Sequence, residues 1–174
     1  MESYILIRRG NNQRAGRNWQ DQILAGGLDY PTLELAEIID IHRDIFSRLT
    51  EKKHNVFMWT IDKYLIDTEQ FMSDLGYTRH ARIIWDKNTG QATAFTVRFT
   101  HEYLLWFYKK GDILMPTKNT RGKYSDVIRE TVKKHSQKPE SAYLMLEDMF
   151  PDVRKLELFA RNERSGWDCW GNEV

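Results

Sequence analysis

Short apolar runs alternate along this chain with segments whose apolar residues recur every three or four positions. That alternation of two periods leaves few folds open. Tyr4–Ile7, Asn55–Thr60, Ala81–Trp85, Glu102–Tyr108 and Leu156–Ala160 read as strands, with Ser125–Thr131 as a weaker one. A helix opens at Pro31-Thr32, where Leu35, Ile38, Ile39, His42, Ile45, Phe46 and Leu49 form one stripe. A second helix follows Asp62, a potential cap, with Tyr64, Leu65, Thr68, Phe71, Met72 and Leu75 inward and Gly76 as its stop. A third starts with Pro139 in its first turn and buries Tyr143, Leu146, Met149 and Phe150. Strands interleaved with helices predict an α/β fold, a mostly parallel sheet with helices on both faces. Ligands of such sheets bind at the carboxyl ends of the strands.

A length of 174 residues fits one domain over 1–174. Two polar stretches interrupt the pattern, residues 8–29 and 87–96, and long loops of this kind are usually functional. The net charge is +1, so partners are read from charge placement and not from the total. Arg8, Arg9, Arg14 and Arg17 crowd one segment, and Lys118, Arg121, Lys123, Arg129, Lys133 and Lys134 crowd another. Both are either solvated loops or phosphate contacts. The single cysteine, Cys169, cannot form an internal disulfide and reads as a small packing residue. No apolar run approaches the roughly 18 residues of a membrane span, and no signal-peptide layout opens the chain, so a cytoplasmic protein is expected.

No Gly-rich dinucleotide or phosphate loop, no metal-spaced Cys/His cluster and no nucleophile elbow is present, so no metal is expected. Five other pieces occur in order: Tyr30-Pro31-Thr32-Leu33, Phe57-Met58-Trp59-Thr60, Trp85-Asp86-Lys87, His101-Glu102-Tyr103-Leu104-Leu105, and the C-terminal run from His135 through Lys138-Pro139 and Leu158-Phe159-Ala160-Arg161 to Asn172-Glu173. Together they resemble the MT-A family of N6-adenine methyltransferases, the class that contains the mRNA adenosine methylases and phage and bacterial relatives. The resemblance runs from about Tyr30 to the C-terminus.

That resemblance implies a Rossmann-like methyltransferase fold with permuted motif order, in which the target-base half comes first and the cofactor half last. It implies S-adenosylmethionine as cofactor and adenine in DNA or RNA as methyl acceptor. Lys138 would meet the cofactor carboxylate, Arg161 its ribose or carboxylate region, and Asn172 and Glu173 its adenosine end. Glu157 and Phe159 would lie on the strand leading there. Lys87, Lys118, Arg121 and Lys123 join the four early arginines as candidate nucleic-acid contacts. A homodimer, or a heterodimer with an active methyltransferase subunit, would follow the family's habit.

One motif of the family is missing. Its Asp-Pro-Pro-Trp should follow the first strand, where a carboxylate orients the target amine and the aromatic ring stacks on the base. This chain has Arg8-Arg9-Gly10-Asn11-Asn12 there. Two readings stay open. The domain is inactive alone and binds nucleic acid or supports an active partner. Alternatively, Asn11, Asn12 and Trp19, or residues of a partner, rebuild the site.

Overall fold

The computed structural model describes residues 3–7, 43, 53–88, 97–133, 137–160 and 162–170. Seven strands form one sheet: β1 (Ser3–Ile7), β2 (His54–Thr60), β3 (Tyr77–Asp86), β4 (His101–Lys109), β5 (Val127–Arg129), β6 (Arg154–Leu158) and β7 (Asp168–Trp170). Among the described residues two longer helices accompany them, α1 (Leu65–Asp74) and α2 (Glu140–Met149). The helix expected after Pro31 lies outside the described residues, apart from helical Arg43.

Across the sheet the order is β5-β3-β4-β2-β1-β6-β7. The sheet is mixed, with one strand running against the others. β1–β2, β1–β6, β3–β5 and β6–β7 pair parallel, whereas β2–β4 and β3–β4 pair antiparallel. Only β4 therefore opposes the direction of its neighbours. β4 returns antiparallel beside β3, a pairing that needs no crossover helix between the two strands.

Alternation along each strand sends side chains to two cores. Phe57, Trp59, Ile83, Trp85, Leu104 and Trp106 share one face with Ala142, Met145, Leu146 and Met149 of α2. Val56, Met58, Leu105, Phe107 and Leu158 share the other with Phe71 and Met72 of α1. The two α-helices thus cover opposite faces. Phe57, Trp106 and Phe150 form an aromatic cluster with ring centroids 5.1–6.0 Å apart.

Several element ends differ from the sequence reading. Asp62 lies inside a 3-10 turn, Asp62–Tyr64, and no side chain of the capping residues closes either helix start there. Pro139 precedes α2 in an extended conformation, so the helix begins one residue later. β6 stops at Leu158 because Phe159 adopts a positive φ of 59°, which ends extended backbone. Gly76 (φ 79°) ends α1 as expected, and Gly111 (φ 88°) follows β4, since that region favours glycine.

Candidate functional site

The reversed direction of β4 has a chemical result. Six strands bring their carboxyl ends to one rim, and β4 brings its amino end there. His101 faces Asp86, Glu102 faces Trp85 and Tyr103 faces Thr60. A polar residue at the start of β4 is thereby set among the ends of β2 and β3. The start of α2 reaches the same place, because Lys138, two residues before it, bonds to Glu102.

Lys138 and Glu102 form a buried ion pair, with side-chain exposures of 3% and 9%. The other Glu102 oxygen, Oε1, accepts from Lys87 Nζ at 3.5 Å. The Lys138 ammonium lies 5.1 Å from the centroid of the Trp59 ring, close enough for a cation–π contact. Trp59 packs edge-on to Trp85 at 5.9 Å, and Trp85 Nε1 donates to the Glu130 carbonyl at 2.7 Å. Burial alone would push the Glu102 carboxyl up. The Lys138 ammonium, with Lys87 behind it, outweighs burial and holds the group below its ordinary 4.5.

Lys138 is held from its backbone side as well. The Glu130 carboxylate accepts from the backbone N–H groups of Glu140 (3.0 Å) and Ser141 (2.9 Å) and from Ser141 Oγ (2.6 Å). A carboxylate ten residues back in sequence thus does the capping that Pro139 cannot. Glu130→Ala should cost about 0.5–2 kcal/mol, the usual size of a lost cap. In a chain of this length that lowers Tm by about 1–8 °C, measurable by calorimetry.

On the other side of the rim, Glu157 is buried on β6 and accepts from the Tyr143 hydroxyl at 2.7 Å, beneath α2. Phe159 follows the strand and packs edge-on to Trp170 at 5.6 Å, while the Ala160 N–H donates to the Trp170 carbonyl at 3.0 Å. β7, which the sequence reading missed, is thereby tied to the end of β6. Arg164 binds Glu147 through Nε (2.6 Å) and Nη2 (3.0 Å) and Glu140 through Nη1 (2.9 Å), pinning the segment after β6 onto α2. Cys169 is partly buried against the α2-side core, as a packing residue should be.

Lys138, Lys87, Glu157 and Phe159 all belong to the strand-end rim. Lys118, Arg121 and Lys123 do not share it. Lys118 opens a short 3-10 turn, and Arg121 Nε donates to the Pro116 carbonyl at 3.3 Å. Lys123 pairs with Asp148 at 2.7 Å. Asp148 is about 12 Å along α2 from Glu140 at the usual helical rise. Arg8, Arg9, Asn11, Asn12, Arg14, Arg17, Trp19, Arg161, Asn172 and Glu173 lie outside the described residues. Sequence reasoning gave no role to Glu102 or Glu130. The signal for Glu102 was a lone acid at the head of an otherwise apolar strand. Among the described residues no group of three or more metal-ligating side chains occurs, and no helix is long and apolar enough to cross a membrane.

Comparison with known proteins meets this geometry from outside. The MT-A70 family profile matches residues 19–173. The type II methyltransferase M.MunI of Mycoplasma sp. is 32% identical over 153 residues, covering 87% of this chain and 63% of that protein. An N(6)-adenosine-methyltransferase MT-A70-like protein of Arabidopsis thaliana is 35% identical over 127 residues, 68% of this chain and 18% of its own length. The human N(6)-adenosine-methyltransferase catalytic subunit METTL3 is 31% identical over 128 residues, 68% of this chain and 21% of its own. The chain therefore spans under two thirds of the first of these relatives and about a fifth of the other two. With the profile covering nearly the whole sequence, including every element that builds the rim after β1, this chain belongs to the MT-A70 family.

Proposed function

We propose that residues 1–174 form one methyltransferase-like domain of Rossmann-like, permuted type. It acts in the cytoplasm, binds S-adenosylmethionine and nucleic acid, and is inactive on its own. The observation that carries the reading is the buried Lys138 at the rim, held by Glu102 and laid over Trp59. The cofactor's methionine end carries a carboxylate, and a fixed ammonium is a fitting partner for it. Trp59 Nε1 is also buried with no hydrogen-bond partner, so a donor beside that ammonium still lacks an acceptor.

When bound, S-adenosylmethionine supplies an electrophilic methyl group on a sulfonium. This chain's residues do the rest. Lys138 holds the carboxylate, Arg161 hydrogen-bonds the ribose or carboxylate region, and Asn172 and Glu173 read the adenosine end. Glu157 and Phe159 shape the floor at the end of β6. Lys87 and the Arg8, Arg9, Arg14 and Arg17 segment take phosphates near the rim. Lys118, Arg121 and Lys123 extend the basic surface toward the far end of α2.

β1 ends at the rim between β2 and β6, and four polar or glycine residues follow it in sequence. They are Arg8-Arg9-Gly10-Asn11, with no carboxylate to orient a target amine. Losing such an acceptor costs about 2.7–4 kcal/mol of transition-state stabilisation, or 100- to 1,000-fold in rate. An active enzyme, with Asn11, Asn12 and Trp19 or a partner completing the site, is the second reading. Its support is that the relatives are named methyltransferases and that the zebrafish and human METTL3 proteins are named subunits. Either a second copy of this chain or an active methyltransferase subunit would fill that place.

Thermal unfolding with S-adenosylmethionine separates these outcomes. At one hundred times its dissociation constant the cofactor should add about 2.7 kcal/mol, or about 5–10 °C in Tm. No shift would reject the cofactor pocket. Radiolabelled methyl transfer to single- and double-stranded adenine-containing oligonucleotides should stay at background for the isolated chain, and incorporation would establish the second reading. Replacing Arg8, Arg9, Arg14 and Arg17 together by alanine should flatten the slope of log affinity against log salt by up to about 4 for duplex DNA. An unchanged slope would remove those arginines from the interface.

A further inference from the structure

Glu102 is not a residue that the proposed cofactor would need to touch. Its two oxygens face two lysines, Oε2 toward Lys138 and Oε1 toward Lys87, and its side chain is 9% exposed. It reaches the rim only because β4 runs against the other strands, opposite Trp85. A lysine side chain has four flexible torsions and loses much freedom when its head is fixed. Lys138 lies just before the capped start of α2, and its ammonium lies over Trp59 and on Glu102.

We infer that Glu102 is a positioning residue that fixes the Lys138 ammonium at the rim, so that the lysine meets the cofactor carboxylate without first being ordered. The inference rests on the cofactor-binding reading of Lys138. Glu102 contributes to affinity only through Lys138. Lys87 holds the second oxygen and keeps the carboxylate from rotating. Its backbone N–H is itself tied to the Thr100 carbonyl at 2.9 Å, just before β4.

The test is a double-mutant cycle on the full chain, read as binding of S-adenosylhomocysteine by calorimetry. Glu102→Gln keeps the shape and removes the charge. It should weaken binding about ten-fold, the size seen when the partner orienting a ligand-binding side chain is lost. Lys138→Met should weaken binding further, and Glu102→Gln added to Lys138→Met should change it no more. An equal loss in both backgrounds would mean that Glu102 acts on the fold at large, and unchanged binding in the single variant would mean that it does not act at all. Either outcome overturns the inference.

A second readout needs no ligand. The nitrogen NMR signal of the Lys138 ammonium should be protected from exchange in the unaltered chain and lost in Glu102→Gln, and a signal that persists there also overturns the inference. Should the unaltered chain bind no S-adenosylhomocysteine, the cofactor reading falls, while this signal still decides whether Glu102 orders Lys138.

Discussion

Lys138→Met should lower the unfolding free energy by about 3–5 kcal/mol, because it leaves the buried Glu102 carboxylate without its principal partner. Lys87, at 3.5 Å, compensates in part, which places the loss toward the lower end of that range. Urea unfolding at neutral pH measures it. The pH dependence carries a sign of its own. In the unaltered chain Glu102 titrates below its ordinary 4.5, so its contribution is complete above that value and is lost as pH falls through the folded value. In Lys138→Met the carboxyl moves up, since burial then meets less opposition. The stability gap between the two proteins should therefore narrow steadily as pH drops below about 4.5. A gap that stays constant down to pH 3 would mean that Glu102 and Lys138 do not share a charge interaction.

Trp59→Ala should cost about 3–5 kcal/mol, the range for emptying a fully buried Trp site. The indole touches both Trp85 and the Lys138 ammonium, so its removal opens a cavity under the rim as well as in the α2-side core. Trp59→Phe separates two effects. It retains an aromatic face for Lys138 and deletes a buried N–H that has no acceptor, which offsets part of the lost packing. Its cost should be well under half that of the alanine variant. Equal losses in the two variants would show that the indole N–H finds a partner in solution.

The parts legible in sequence were those where burial on both faces leaves no ambiguity. β2 and β4 have continuous apolar centres and were placed to within a residue or two, because a central strand shows both its faces to a core. β3 was expected from Ala81, yet begins at Tyr77. Its first half carries exposed Thr78, Arg79 and His80 and a bulge between Arg79 and Ala81, which hides the period. β7 was missed because Asp168-Cys169-Trp170 is short, lies on an edge and pairs with β6 alone. Within the candidate site, the five-piece resemblance singled out Lys138, which the structure places buried at the rim. Glu102 and Glu130 were not assigned, because their roles depend on partners 36 and 11 residues away that only the fold brings near. Pairings of that kind leave no periodic trace in the chain.

The position of β1 also determines when this protein can finish folding. Ser3 pairs with His54 on one side and with Arg154 on the other, so β1 waits for a strand made about 150 residues later. During synthesis at about 5–20 residues per second, the nascent chain spends several seconds or more with that hydrogen-bonding edge uncovered. Pairing at so long a range places the molecule among slow folders and makes its ribosome-bound intermediates the stage most exposed to aggregation.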